Sequence, residues 1–212
     1  MNPGLYAIVD ADTLEGAGRD VTDFARRVLD AGPLAALQLR AKSWGARRML
    51  TCARDLAALC RARGVPFFVN DRPDVAWLAR ADGVHVGMDD LPVSDVRLVA
   101  PGLKVGASSH NPDEVSAVLH TDADYLAFGP VFGTRSKADP APTVGLEALA
   151  RVVARCRETS RPVVALGGIS LENAHLVREA GATAAAVIGA LVVDDDRVTD
   201  VARALHVAAG GS

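Results

Sequence analysis

The chain has 212 residues, a length that an α/β barrel fills as one domain. Half of the residues are apolar and 23% are charged, a globular composition with enough apolar material for one sizeable core. A formal net charge of −3 argues against nucleic acid or an anionic membrane as partner, though it leaves room for a small basic pocket. Cys52, Cys60 and Cys156 fall in helical patterns without a CxxC pair, which fits buried apolar thiols in a reduced cytoplasmic compartment. The first residues, MNPGLYAIVDAD, show neither a signal peptide nor a membrane span, and no apolar run reaches the roughly 18 residues a spanning helix needs.

Short β-like runs alternate with helical stretches. The runs cover residues 5–10, 34–42, 66–71, 83–87, 104–108, 125–132, 162–168 and 184–191. Most are nearly continuously apolar, as parallel strands covered by helices are. Between them lie amphipathic segments. In one, Met49, Ala53, Leu56, Ala57 and Cys60 share a helix face. Gly32, Gly64 and Gly181 read as helix ends, and Asn111-Pro112 and Ser170-Leu171 as helix starts. Strict alternation of eight strands with eight helices predicts a (β/α)8 TIM barrel, one α/β domain over residues 1–212. An open doubly wound sheet is the alternative, but no GxGxxG follows the first strand. The long Gly/Pro-rich excursion at 129–143 reads as a lid.

Barrel chemistry belongs at the C-terminal strand ends. The second run ends in Gln38, Arg40 and Lys42 on one face, with Leu39 and Ala41 on the other. Two cations side by side point to an anion between them, a phosphate or diphosphate. Asn70-Asp71 ends the third run, and Asp89 and Asp90 follow the fourth. Asp89 reads as a helix cap. Asp71 and Asp90 read as carboxylates for Mg2+, against a metal-free salt-bridge network. His85 reads as a hydrogen-bonded interior side chain, and Ser108-Ser109-His110 ends the fifth run. Thr134, Ser136 and Lys137 lie on the predicted lid and suit closure over a phosphate. Gly168 ends the seventh run, and Ile188 and Gly189 the eighth, where barrels bind phosphate through backbone N–H groups.

The pieces LYAIVD, QLRAK, FFVNDRPDVA, GVHVGMDDLP, VGASSH, GPVFGTRSKADPAPTVGLEAL, VVALGGIS and AAAVIGAL appear in this order along nearly the whole chain. Together they resemble the thiamine phosphate synthase (thiamine-phosphate pyrophosphorylase) family. The resemblance implies a transferase that joins hydroxymethylpyrimidine diphosphate to hydroxyethylthiazole phosphate, releasing diphosphate by a dissociative, Mg2+-assisted substitution. It places Gln38, Arg40, Lys42 and Asn70 around the pyrimidine diphosphate, with Asp71 and Asp90 as metal ligands. Ser108 and Lys137 would flank the leaving diphosphate, so that Lys137, Ser108, Arg40 and Lys42 carry catalysis. Thr134, Ser136, Gly168, Ile188 and Gly189 would hold the thiazole phosphate. Ala41, Met88 and Gly189 depart from the family's commoner residues. The related thiazole tautomerase is the runner-up, with His110 as its proton carrier, and a non-catalytic sensor of thiamine intermediates is a third reading. The implied partners are small molecules, and the sequence leaves a homo-oligomer open.

Overall fold

The structure is a computed structural model that describes residues 1–133 and 141–212. Its strands are β1 (Gly4–Asp10), β2 (Ala36–Arg40), β3 (Phe67–Asn70), β4 (Gly83–Val86), β5 (Lys104–Ser109), β6 (Tyr125–Phe128), β7 (Val163–Leu166) and β8 (Ala184–Val187). Each pairs in parallel with the next, and β8 pairs back onto β1, with Gly4 opposite Ala184 and Ala7 opposite Val187. The sheet is therefore a closed barrel, the expected TIM fold.

The helices are α1 (Ala11–Gly16), α2 (Val21–Leu29), α3 (Ala46–Arg63), α4 (Pro73–Ala79), α5 (Val93–Val99), α6 (Pro112–Leu119), α7 (Gly145–Arg157), α8 (Ala174–Glu179) and α9 (Val198–Ala208). Strict alternation fails once, because β1 is followed by both α1 and α2. Asp10 causes the extra helix: its side chain accepts from the Thr13 N–H at 2.9 Å and caps α1 before the chain reaches α2. The expected face of α3 is buried, and Gly64 closes that helix in a left-handed conformation, φ 67°. Asn111 caps α6 through the N–H groups of Asp113 and Glu114. The predicted start at Ser170 is three residues early. Asn173 precedes α8, and the Ala174 N–H bonds the Ser170 carbonyl in an intervening turn. Asp89 caps nothing, since α5 begins after Pro92.

Strands β2, β6, β7 and β8 end earlier than their apolar runs. Residues 189–191, read as strand, form a 3-10 turn. Of these three only Leu191 is buried, so the apolar run does not mark strand geometry there. Cys52, Cys60 and Cys156 are buried free thiols, and burial pushes Cys52 up to about 11 and Cys60 to about 12. Among the described residues, no helix is long and apolar enough to cross a membrane.

Alternation along the strands divides the apolar residues into two clusters. The larger lies between sheet and helices and includes Leu39 and Ala41. The smaller fills the barrel and contains Tyr6, Ala36, Phe68, Tyr125, Ala127, Val164, Ala184 and Ala186. Three rings meet at its centre. Phe68 stands edge-on to Tyr125 at 5.6 Å between centroids, and Tyr6 lies 5.9 Å from Phe68 and 6.0 Å from Tyr125. Room for them comes from two strand glycines. A Cβ on Gly83 would fall 2.3 Å from the Phe68 ring, and one on Gly106 would fall 1.9 Å from Tyr125 Cζ.

Gly106→Ala therefore drives a methyl into a ring that has no free direction to move. It should lower unfolding free energy by about 2 kcal/mol or more with an unchanged denaturant slope. An unshifted urea midpoint would mean that the Tyr125 ring does not lie against β5.

Candidate active site

The C-terminal strand ends open into a cavity of ≈ 970 Å³. Gln38, Arg40, Lys42, Asn70, Asp71, Asp90, Ser108, Gly168, Ile188 and Gly189 all line it, as do His85 and His110. Thr134, Ser136 and Lys137 lie outside the described residues.

Inward parity carries polar residues above the aromatic floor. Tyr6, Gln38, Asn70, His85, Ser108 and Tyr125 are all buried. Tyr6 Oη donates to Gln38 Oε1 at 2.8 Å and meets Tyr125 Oη at 2.9 Å. His85 Nδ1 lies 2.9 Å from Tyr125 Oη, and its Nε2 lies 2.8 Å from Ser108 Oγ. Gln38 Nε2 donates to Asn70 Oδ1 at 2.9 Å. His85 is thus a hydrogen-bonded interior residue, as expected. Burial pushes the hydroxyls of Tyr6 and Tyr125 well above the usual tyrosine range, so both stay protonated.

The charged layer lies above. Arg40 does not wait for an anion between itself and Lys42. It pairs with Asp10, a residue only 3% exposed that the sequence reading missed. The Asp10-x-x-Thr13 cap pattern and the inward parity Tyr6, Ile8, Asp10 are the signals that point to it. Lys42, beyond the end of β2, pairs with Asp71. Asp71 has a left-handed backbone, φ 62°, tied down by its N–H on the His85 carbonyl at 2.8 Å. This turns its carboxyl onto that of Asp90, whose Oδ2 also accepts the Gly87 N–H at 2.8 Å. Burial and the hydrogen bond with Asp90 raise Asp71 above the usual carboxylate range, against the pull of Lys42. Burial pulls Asp90 upward too, but the bond with Asp71, the Gly87 N–H, Lys42 and His85 outweigh it and hold Asp90 low. The two carboxyls are thus shifted in opposite directions by their contact, Asp71 up and Asp90 down.

His110, at the end of β5, has its Nδ1 2.5 Å from the Gly129 carbonyl, and its N–H bonds Glu114 at 2.7 Å. On the far side, Gly167 and Gly168 have φ 92° and 63°. Their smallness has a packing cause independent of any ligand. A Cβ on Gly167 would fall 2.3 Å from that of Pro130, and one on Gly168 2.3 Å from the Gly133 carbonyl. Strand-like bonds from Val131 N–H to Leu166 and from Phe132 N–H to Gly167 hold the two segments together. Gly189 opens the 3-10 turn Gly189–Leu191, whose first N–H groups have no partner within the turn. Gly168 and Gly189 follow adjacent, paired strands and face the same cavity.

A family model described as thiamine monophosphate synthase matches residues 5–191. A thiamine-phosphate synthase of Methanocella arvoryzae is 44% identical over 208 residues, covering 97% of this chain and 94% of its own. One from Koribacter versatilis is 44% identical, with 96% of each chain covered. Among solved structures, a thiamine phosphate pyrophosphorylase from Pyrococcus furiosus superposes with a TM-score of 0.86 at 34% identity, over 97% of this chain and 95% of that one. The barrel, the order of its strand-end residues and these full-length similarities agree: the chain belongs to the thiamine monophosphate synthase family.

Proposed function

We propose that this chain acts as a thiamine-phosphate synthase, joining hydroxymethylpyrimidine diphosphate to hydroxyethylthiazole phosphate, and that Asp71 and Asp90 would hold Mg2+. The observation that carries the metal is the contact between those two carboxylates. Among the described residues, the mouth holds Arg40 and Lys42 against Asp71, Asp89, Asp90 and Glu114, with Asp10 beneath. These described groups carry a negative balance that disfavours a bare diphosphate. Among the described residues, no group of three or more His, Cys, Asp or Glu side chains is placed to hold a metal ion. Two carboxylates suit Mg2+, which keeps waters and takes its remaining oxygens from phosphate. When bound, Mg2+ would neutralise charge on the diphosphate.

The chain's own residues would bind and orient. Arg40 and Lys42 exchange part of their carboxylate pairing for diphosphate oxygens. The carbon–oxygen bond to the pyrimidine methylene breaks, and its electron pair leaves on the diphosphate. The thiazole nitrogen then donates its lone pair to the cationic carbon. Backbone N–H groups at Gly168, Ile188 and Gly189 would fix the thiazole phosphate so that this nitrogen faces the carbon. Lys137 and Ser108 belong to the diphosphate side of this proposal, and Thr134 and Ser136 to the thiazole phosphate side. The protein supplies no nucleophile.

Incubation with both substrates and Mg2+ should yield thiamine phosphate and diphosphate, and EDTA should stop turnover. Asp71→Ala or Asp90→Ala should cost on the order of 4 kcal/mol or more in kcat/KM. Full activity in EDTA would remove the metal from the proposal. His110→Ala should leave substantial coupling, whereas total loss beside a harmless Asp71→Ala would favour the tautomerase reading.

Stability gives an independent test. A carboxyl raised above its unfolded value stabilises the fold only while protonated, and that contribution is lost as pH rises through the raised value. At neutral pH without metal, Asp71 is therefore a cost. Asp71→Asn, which also suits a left-handed backbone, should leave Tm unchanged or higher in EDTA while removing any rise of Tm with Mg2+. A clear fall of Tm in EDTA would show that the Lys42 pairing outweighs the burial.

The second anion site predicts that Gly189→Asp raises KM for thiazole phosphate at least about tenfold, or about 1.4 kcal/mol, and leaves KM for the pyrimidine diphosphate nearly unchanged. Gly189→Ser should be neutral or better. A rise confined to the pyrimidine substrate would mean the two sites are interchanged.

A further inference from the structure

The six buried polar residues of the barrel floor form one chain of hydrogen bonds that crosses the interior from β5 to β3. Its direction follows by valence from the orientation of the Gln38 and Asn70 amides. Gln38 Nε2 donates to Asn70 Oδ1, so the Gln38 carbonyl oxygen is the atom that meets Tyr6. A carbonyl oxygen only accepts, and the single Tyr6 proton is therefore committed to Gln38. Tyr125 must then donate across the 2.9 Å contact to Tyr6. That uses the single Tyr125 proton, since this hydroxyl is buried and stays neutral. The 2.9 Å contact between Tyr125 and His85 Nδ1 then needs a proton on Nδ1. In the neutral ring Nε2 is left with a lone pair, and Ser108 Oγ, 2.8 Å away, donates inward to it.

We propose that Tyr6 and Tyr125 are positioning residues that set the polarity of the cavity through His85. They hold His85 as the Nδ1–H tautomer, so that Ser108 turns lone pairs to the cavity while Asn70 turns amide N–H groups to it. With a neutral His85, only full reversal of the chain satisfies every member as well, while a doubly protonated ring would satisfy the same contacts by donating to both Tyr125 and Ser108. Any mixed state leaves two donors or two acceptors face to face in a buried site, at a cost of about 1–3 kcal/mol per unsatisfied group. The floor is thus a two-state element that a ligand's own donor and acceptor pattern selects. In the direction drawn, Ser108 meets an N–H and Asn70 meets an acceptor, whereas donation by Ser108 to a diphosphate oxygen, the role proposed above, needs the reversed chain. An amine-bearing nitrogen heterocycle carries both. This last step rests on the aminopyrimidine substrate proposed above, whereas the tautomer does not.

The two parts are tested separately. Protein labelled with 15N in histidine, observed without substrate, reports which ring nitrogen of His85 carries the proton. His85 is assigned by the loss of its signals in His85→Gln. The wild-type protein should show Nδ1–H. In Tyr6→Phe, whose ring can still pack against Phe68, Tyr125 loses its acceptor and should donate to His85, moving the ring proton to Nε2. Ser108→Ala removes the partner at the other end and should leave Nδ1–H in place. Wild-type His85 with Nε2–H, or with both nitrogens protonated, overturns the proposal, as does a Tyr6→Phe ring that stays Nδ1–H. The kinetic arm expects Tyr6→Phe to raise KM for the pyrimidine diphosphate about tenfold, with KM for thiazole phosphate unchanged. A tautomer that moves while both KM values stay level overturns the ligand part. No turnover in wild-type protein beside the expected spectra sinks the synthase reading and leaves the hydrogen-bond chain standing.

Discussion

Pairing of β8 with β1 closes the sheet, and closure constrains everything inside it. Once the ladder is continuous, alternate residues of every strand must point into one narrow lumen. Eight large side chains do not fit in a layer, so small residues have to face large ones. Gly83, Gly106, Ala36, Ala127, Ala184 and Ala186 make space that Tyr6, Phe68 and Tyr125 occupy. Two of those rings bring hydroxyl groups into the apolar interior. A buried hydroxyl needs a partner, and Gln38 and His85 supply it. Their remaining atoms in turn hold Asn70 and Ser108 at the cavity. The packing of the floor thus positions the polar groups above it.

The layer over this floor works on a different principle. Carboxylates outnumber cations among its described residues, and Asp71 sits in a left-handed conformation with its carboxyl against another acid. Neither feature favours the empty fold. Both fit the proposal that a divalent cation and an anionic substrate bind there together. Asp10 belongs to the same layer from below: one carboxylate caps α1 and steadies Arg40, which links the extra helix to the orientation of that guanidinium.

The opposite half of the mouth is built from backbone. Segment 130–132 lies alongside the end of β7 with strand-like hydrogen bonds, and Gly167 and Gly168 are the residues that let it come so close. The placement of the N–H groups near Gly168 therefore depends on the segment leading into residues 134–140. Any second anion site would be coupled to that segment through van der Waals contact.

Much of this protein was readable in its residue order. Continuous apolar runs separated by helical faces specify parallel strands under helices, and a two-residue alternation placed Gln38 and Arg40 inside with Leu39 and Ala41 outside, because strand geometry is local. The gathering of polar residues at the strand ends followed from the same periodicity. Where strands stop was not readable, because residues 189–191 continue the apolar run of β8 yet turn as a 3-10 helix with only Leu191 buried. Nor could the sequence show that Arg40 already has a partner in Asp10, thirty positions away. The contact of Asp71 with Asp90 and the chain from Ser108 to Asn70 belong to the same class. Each joins residues from different strands, and only closure of the barrel sets the distances between them. Periodicity determines which way a side chain points; the three-dimensional fold decides what it meets.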